Sequence, residues 1–400
     1  EMKASPLAQA EIPMLRLSSF YFAYYAALGA FTPYWGVYLK ARGHDAAAIS
    51  ILMSLWYATR IFAPSTWSTL ASRSAHPIRW LRIGCLSTAL SFAVFIVPLD
   101  FTGLFLAMCV FCFVYNAVMP QFEAITLSHL VGRSERYGRI RVWGSIGFVL
   151  VVALFGLLLD RLGETTLPWL MLPLFTGLCV SSWFNDYGSG QSEAPAGKHG
   201  GFAARLKRPE VAAFFGVAFL MQICFGPYYT FYSIYLDEHG YSTSSLGIYW
   251  SIGVVLEILV FAGSGWILRR WHAAWVLLVS VLAAAVRWAM VALFADSAVL
   301  MALAQATHAL SFAAFFAASM QFLAIFFPGR QNGHAQGVFY GFSSGVGGVL
   351  GALLSGWVWE RSGGEMAFLL ASAVAVLACV VVWVWLRPAR LQCMGSGVDK

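Results

Sequence analysis

Charge is what this 400-residue sequence has least of: Asp, Glu, Lys and Arg make up only 11% of it, against about 25% in a soluble globular domain. A soluble chain of that length could not cover its own surface, so soluble enzyme folds are excluded. Disorder is excluded too, because 60% hydrophobic and 16% aromatic residues are the reverse of a disordered composition. Cysteine is sparse. The seven (Cys85, Cys109, Cys112, Cys179, Cys224, Cys379 and Cys393) lie in or beside apolar runs, and the C-x-x-C pair Cys109/Cys112 has no second ligand pair nearby. They read as small apolar packing residues. No disulfide framework, metal site or cofactor is expected.

Apolar length takes the place of charge. A spanning helix needs about 20 apolar residues, and twelve such runs follow one another: 15–39, 46–70, 80–98, 101–129, 138–159, 166–185, 210–236, 243–268, 273–295, 297–327, 335–359 and 366–386. They are continuous rather than alternating, which argues against a transmembrane barrel. The expected fold is an all-α integral membrane protein with twelve transmembrane helices in a lipid bilayer. Residues 1–14 are polar and the first apolar run is too long for a leader, so no cleavable signal is expected. Glu1 and the closing Met394–Lys400 read as edges outside the fold.

The net charge of +7 is explained by where Lys and Arg fall. With a cytoplasmic N-terminus and alternating sides, four of the 25 face outward (Lys40, Arg42, Arg161, Arg361), two lie within spans (Arg60, Arg287) and nineteen are cytoplasmic. The positive-inside rule selects this orientation, with both termini cytoplasmic. The basic balance is then a topology signal, and no nucleic-acid partner is expected.

The longest polar stretch, Asp186–Arg208, reads as a cytoplasmic linker between an N-terminal half (1–185) and a C-terminal half (209–393), with 394–400 as a tail. The halves repeat. An offset of 197 places Tyr38-Leu39 on Tyr235-Leu236, Ser54 on Ser251, Arg60 on Glu257, Arg73 on Arg270 and Trp143-Gly144 on Tyr340-Gly341. After a slip of three, Asp160-Arg161-Leu162-Gly163 falls on Glu360-Arg361-Ser362-Gly363. Such persistence marks an internal duplication, giving two pseudo-symmetric six-helix halves. Parallel six-span halves joined by a cytoplasmic linker describe the major facilitator architecture, with substrate near the midplane.

An ionisable group at the bilayer centre costs about 2.5–3.5 kcal/mol or more, so it must face a cavity or a partner. Arg60, Glu123, Glu257, Arg287 and His308 are such groups. Glu257 is expected beside Arg60 or Arg287, and Glu123 beside Arg141. Tyr24, Tyr25, Tyr34, Trp35, Asn116, Tyr228, Tyr229, Tyr232 and Trp250 supply a plausible cavity lining. Pro227 falls mid-span, where its missing N–H leaves a gap that a cavity tolerates. Gly337, Gly341, Gly345, Gly347 and Gly351 form a stripe expected to let another helix come close. Gly341-Phe342-Ser343-Ser344-Gly345 matches G-x-S-x-G, but a nucleophile elbow needs a strand-to-helix turn. An intramembrane serine hydrolase, with His308 as base, is the rival class.

Over nearly its whole length the sequence resembles the major facilitator superfamily. Within that superfamily it is similar to the phenylpropionate permease-like group and the related oligosaccharide:proton symporters. The specific segments are Phe122-Glu123-Ala124 and, after a loop, Tyr137-Gly138-Arg139-Ile140-Arg141-Val142-Trp143-Gly144-Ser145. In the symporters the matching Glu and second Arg bind sugar, which the resemblance carries to Glu123 and Arg141. Ala285-Val286-Arg287 and Ala306-Thr307-His308 resemble their span-nine arginine and span-ten histidine, members of the proton and substrate network. Three positions depart from the pattern. The carboxylate one turn after the histidine is Ser311, the sugar-stacking tryptophan is Phe148, and the acidic residue of the loop motif after span two is Ser72. These departures count against a galactoside site.

The resemblance implies a monomeric secondary transporter of the bacterial inner (cytoplasmic) membrane, working by alternating access as a proton symporter of a small molecule such as an aromatic carboxylate. Proton coupling is expected at Glu257, Glu123 or His308. Substrate binding is expected at Arg60, Arg141, Arg287, Asn116, Phe148, Tyr24, Tyr228 and Trp250. A sugar or nucleoside symporter and a drug exporter are the alternatives within the class.

Overall fold

The structure, a computed structural model, describes residues 11–131, 133–189, 201–328 and 331–388. Cys393, the tail Met394–Lys400 and linker residues 190–200 lie outside the described residues. In the N-terminal part the helices are α1 (Met14–Ala41), α2 (Ala46–Ser72), α3 (Pro77–Ala93), α4 (Phe101–His129), α5 (Tyr137–Leu162) and α6 (Leu167–Trp183). A short α7 (Phe202–Leu206) precedes α8 (Pro209–Cys224) and α9 (Gly226–Glu238). Then come α10 (Thr243–Arg270), α11 (Ala273–Leu293) and α12 (Ala298–Ala306), which continues through a π-helical stretch at Ala309–Ala314 into α13 (Phe315–Phe326). Finally α14 (Gln331–Val338) runs through a second π-helical stretch, Phe339–Val346, into α15 (Gly347–Trp385).

Ten helical stretches among the described residues are long and apolar enough to cross a membrane. The last, Gln331–Trp385, is broken at Gly363, whose φ of 79° is non-helical, and so makes two spans. α1, 28 residues long, completes the twelve; its tyrosines keep its hydropathy lower. Helix starts are set locally. Asp100 caps α4 by accepting from Gly103 N–H at 2.8 Å, and Ser242 caps α10 by accepting from Ser245 N–H at 3.2 Å. Such caps satisfy donors that no helix can pair internally. At Pro227, α8 stops at Cys224 and α9 restarts with the proline in its first turn.

The chain forms two compact units, Glu1–Gly43 with Ala58–Pro195, and His44–Tyr57 with Ala196–Lys400. The first part of α2 thus groups with the second unit. There Ala47 N–H donates to Glu360 Oε1 at 3.1 Å, while Ser50 lies against Gly356 and Tyr57 against Gly348.

Each unit shows the same tight helix crossing. In the first, Gly29 of α1 sits under the Phe148 carbonyl, and Gly147 of α5 under the Phe22 carbonyl. In the second, Gly226 of α9 sits under the Gly351 carbonyl, and Gly347 of α15 lies against the Phe219 carbonyl. Gly29 and Gly226 are 197 apart, as are Phe22 and Phe219; Gly147 and Gly347 are 200 apart. The three-residue slip therefore falls between Gly341 and Gly347, where the backbone turns π-helical. A π-helical turn takes extra residues while the helix carries on. The turn glycines repeat as well: Gly43 and Gly240 have φ of 89° and 82°, Gly163 and Gly363 have 86° and 79°.

The glycine stripe is only partly a packing face. Gly347 and Gly351 meet α8, whereas a Cβ at Gly337 or Gly341 would meet open space. The expectation of one continuous stripe is corrected on this point: close approach is confined to its second part. Ser343 lies inside the π-helical stretch, with helix before and after it. Among the described residues, six cysteines are unpaired and no group of three His, Cys, Asp or Glu could hold a metal ion.

Candidate functional site

In the first unit, α4 carries Glu123 and the start of α5 carries Tyr137 and Arg141. Tyr137 donates its hydroxyl to the Glu123 carboxylate, 3.1 Å from Oε1 and 2.9 Å from Oε2. The Arg141 guanidinium lies 3.9 Å from the centre of the Tyr25 ring and 5.7 Å from that of Tyr21. A cation over an aromatic face gains more once desolvated, so α1 holds the arginine by its rings. The charges of Arg141 and Glu123 attract one another. Tyr21 donates to Thr126 Oγ1 at 3.1 Å. Tyr24 and Tyr115 each donate a hydroxyl to the other's carbonyl, at 3.3 and 2.6 Å, which ties α1 to α4. Asn116, buried on α4, donates to Thr59 Oγ1 at 3.1 Å. Arg60, half-buried on α2, interacts electrostatically with Tyr24. Phe148 is half-buried, and its backbone forms the α1–α5 crossing.

The second unit centres on Arg287 of α11, which is 0% exposed. Its Nη1 lies 2.8 Å from His308 Nδ1 and 3.3 Å from Ser311 Oγ, and its Nη2 donates to Gln305 Oε1 at 2.6 Å. The guanidinium also faces the rings of Tyr228 at 4.3 Å and Trp288 at 4.4 Å. Tyr228 in turn stacks on Trp250 at 4.6 Å, and Trp250 donates to Ser233 Oγ at 3.0 Å. His308 Nε2 lies 3.2 Å from Glu257 Oε2.

These contacts fix protons. A guanidinium only donates, so His308 Nδ1 must accept from Arg287 and carry no proton. The imidazole is then neutral with its proton on Nε2, which donates to the Glu257 carboxylate. A second proton on His308 would set two donors face to face at Nδ1. Gln305 is oriented by the same logic: Oε1 accepts from Arg287, while Nε2 donates to the Tyr249 carbonyl at 3.0 Å and to Tyr228 Oη at 3.3 Å. Glu257 is the open end of this chain of contacts, its side chain 21% exposed against 5% for His308. The π-helical stretch starting at Ala309 follows the histidine directly; such turns recur at functional sites.

Arg287, His308, Tyr228, Trp250 and Glu257 thus meet in one network, and Glu123 with Arg141 in another. Of the two arginines expected beside Glu257, Arg287 reaches it through His308, which stands between the carboxylate and the guanidinium. Sequence reasoning missed Gln305 and Tyr137. Both left a signal. Gln305 is three residues before His308, hence on the same helix face, but a survey of ionisable residues passes over a neutral amide. Tyr137 opens the motif that contains Arg141.

The model of the MFS_1 like family matches residues 14–370. A protein of Escherichia coli (strain K12) named "Probable 3-phenylpropionic acid transporter" is 29% identical over 272 residues, covering 67% of this chain and 71% of that one. The maltose permease of Geobacillus stearothermophilus is 24% identical over 91% of this chain and 92% of its own. A crystal structure of a mutant nucleoside transporter NupG superposes with a TM-score of 0.84 at 19% identity, covering 94% of this chain and 100% of that one.

Proposed function

The chain belongs to the MFS_1 like family of major facilitator membrane transporters, and from there we propose that it couples proton entry to uptake of a small aromatic carboxylate by alternating access. It works in the inner membrane of a bacterium as a monomer, with both termini cytoplasmic and without a cofactor. The distribution of Lys and Arg supports that orientation. The similarity to the protein named for 3-phenylpropionic acid supports the substrate class. Ser343, set within a helix, has no hydrolytic role.

One observation carries the coupling: the Arg287–His308–Glu257 chain, in which the arginine holds the histidine neutral and leaves Glu257 to take the proton. With Glu257 ionised, Arg287 and Glu257 sum to zero charge. Protonation of Glu257 leaves the arginine uncompensated, and an uncompensated charge within the bilayer is costly. A bound substrate carboxylate restores the charge balance of the protein interior. Proton and anion therefore favour each other's binding, which is the coupling free energy a symporter needs.

Arg141 is the substrate arginine of this reading, held flat by Tyr25 and able to take a carboxylate through two parallel N–H donors. The test is transport in proteoliposomes. Glu257→Gln should abolish uptake driven by a pH gradient and retain counterflow exchange; pH-driven accumulation in that variant would refute the coupling role. Arg141→Lys should fail like Arg141→Gln, because an ammonium cannot reproduce planar two-point binding. Neutral nucleosides or sugars binding as tightly as aromatic acids would replace the substrate class.

A further inference from the structure

The hydrogen bonds of Arg287 all go to neutral side chains on one face of one span: Gln305, His308 and Ser311. They follow one another at every third position, which makes them neighbours along a helix. The remaining N–H, on Nε, has no acceptor in the protein. Among the described residues, therefore, no carboxylate touches this guanidinium. The carboxylate of the network, Glu257, is reached only through His308.

Gln305 makes the shortest of these contacts, 2.6 Å from Nη2, and its amide is locked. Nε2 donates to the Tyr249 carbonyl at 3.0 Å and to Tyr228 Oη at 3.3 Å. A turned amide would set its NH2 against the guanidinium and its oxygen against a carbonyl, pairing like with like. Other titratable groups that feel Arg287 are Tyr228, Tyr232 and Cys224. Those that feel Glu257 are His308, Tyr228 and Tyr229. Tyrosine and cysteine are neutral near pH 7, and His308 is held neutral, so none of them supplies a second negative charge.

We propose that Gln305 is a positioning residue of the coupling, a role that rests on the symport reading above: it fixes Arg287 with an acceptor that bears no charge, so that Glu257 alone answers the arginine. With an amide at 305, a proton on Glu257 leaves Arg287 uncompensated and calls for the substrate anion. A carboxylate at 305 would pair with Arg287 directly, in a charge-assisted bond. The arginine would then be compensated whether or not Glu257 is protonated. Proton and anion would bind independently, and the coupling free energy would vanish.

The test compares Gln305→Glu with Gln305→Met in the full chain, by uptake of labelled 3-phenylpropionate into proteoliposomes with and without an acid-outside pH gradient. Both variants lose the hydrogen bond to the Tyr249 carbonyl, so a purely structural role would make them behave alike. Gln305→Met should be slower than the parent chain and still respond to the gradient. Gln305→Glu should keep counterflow exchange and lose the response. If Gln305→Glu accumulates substrate as the parent does, or Gln305→Met loses the response as well, Gln305 does not have this role and the symport reading stands. A parent chain that ignores the gradient removes the symport reading and this role together. Melting temperature gives a second reading that needs no substrate. Glu257→Gln leaves Arg287 without its carboxylate, and adding Gln305→Glu supplies one, so the double variant should melt above Glu257→Gln alone. An equal or lower melting temperature would overturn the proposal.

Discussion

In the N-terminal unit the carboxylate of Glu123 shares one tyrosine hydroxyl proton between its two oxygens, and the arginine beside it is held by ring faces. In the C-terminal unit the arginine lies deepest, with a histidine, a serine and an amide around it, and the carboxylate is the more open end. Duplicated scaffolds have thus been fitted with opposite polarity. A guanidinium resting on tyrosines is gripped mainly by its face, while one consumed by side-chain acceptors sets the charge of its surroundings. In the proposed function the first arrangement grips the anion and the second moves the proton.

The largest effect that would break this contrast is expected at Arg287. Arg287→Gln leaves Gln305, His308 and Ser311 without their common donor, and removing one member of a buried charged group costs about 3–5 kcal/mol. The variant should show a strongly lowered melting temperature, which Glu257→Gln in the same chain partly restores. If Arg287→Gln alone is no less stable than Arg141→Gln, the two networks do not differ as described.

A middle-sized effect tests the scaffold. Gly29→Ala places a methyl 2.6 Å from the Phe148 carbonyl oxygen, and Gly226→Ala does the same against Gly351. Overpacking costs about 1–3 kcal/mol, and both substitutions should lower the melting temperature comparably. A silent Gly29→Ala beside a damaging Gly226→Ala would mean that the crossings are not equivalent.

The smallest effect is at the turns. Gly163→Ala and Gly363→Ala force a side chain into positive φ, which costs roughly 1 kcal/mol. Thermal melts should show small and nearly equal losses.

Much of the architecture was legible because lipid is a strict solvent. Every backbone group must be paired inside its own helix, so uninterrupted apolar runs such as 138–159 and 273–295 declare their spans. The duplication showed through Asp160-Arg161 against Glu360-Arg361 and was seen again in the crossing glycines. The candidate site was legible as a set of residue types and much less as a set of partners. Glu123 and Arg141 could be paired because a short loop joins their helices. The Glu257 partner could not be read, since α10, α11 and the α12–α13 span meet through side-chain packing that no sequence spacing encodes.

The sequence by itself determined that the chain is a membrane-spanning, internally duplicated helical protein with charges it must hide, because hydrophobic length and the cost of burying charge act locally. Only the tertiary structure decided which charges meet. The proton position on His308 depends on a donor 21 residues away in the chain, and the orientation of Gln305 depends on carbonyl and hydroxyl groups from two further helices. Hydrogen bonds are short-ranged and directional, so a residue's role in this network follows from its neighbours in space.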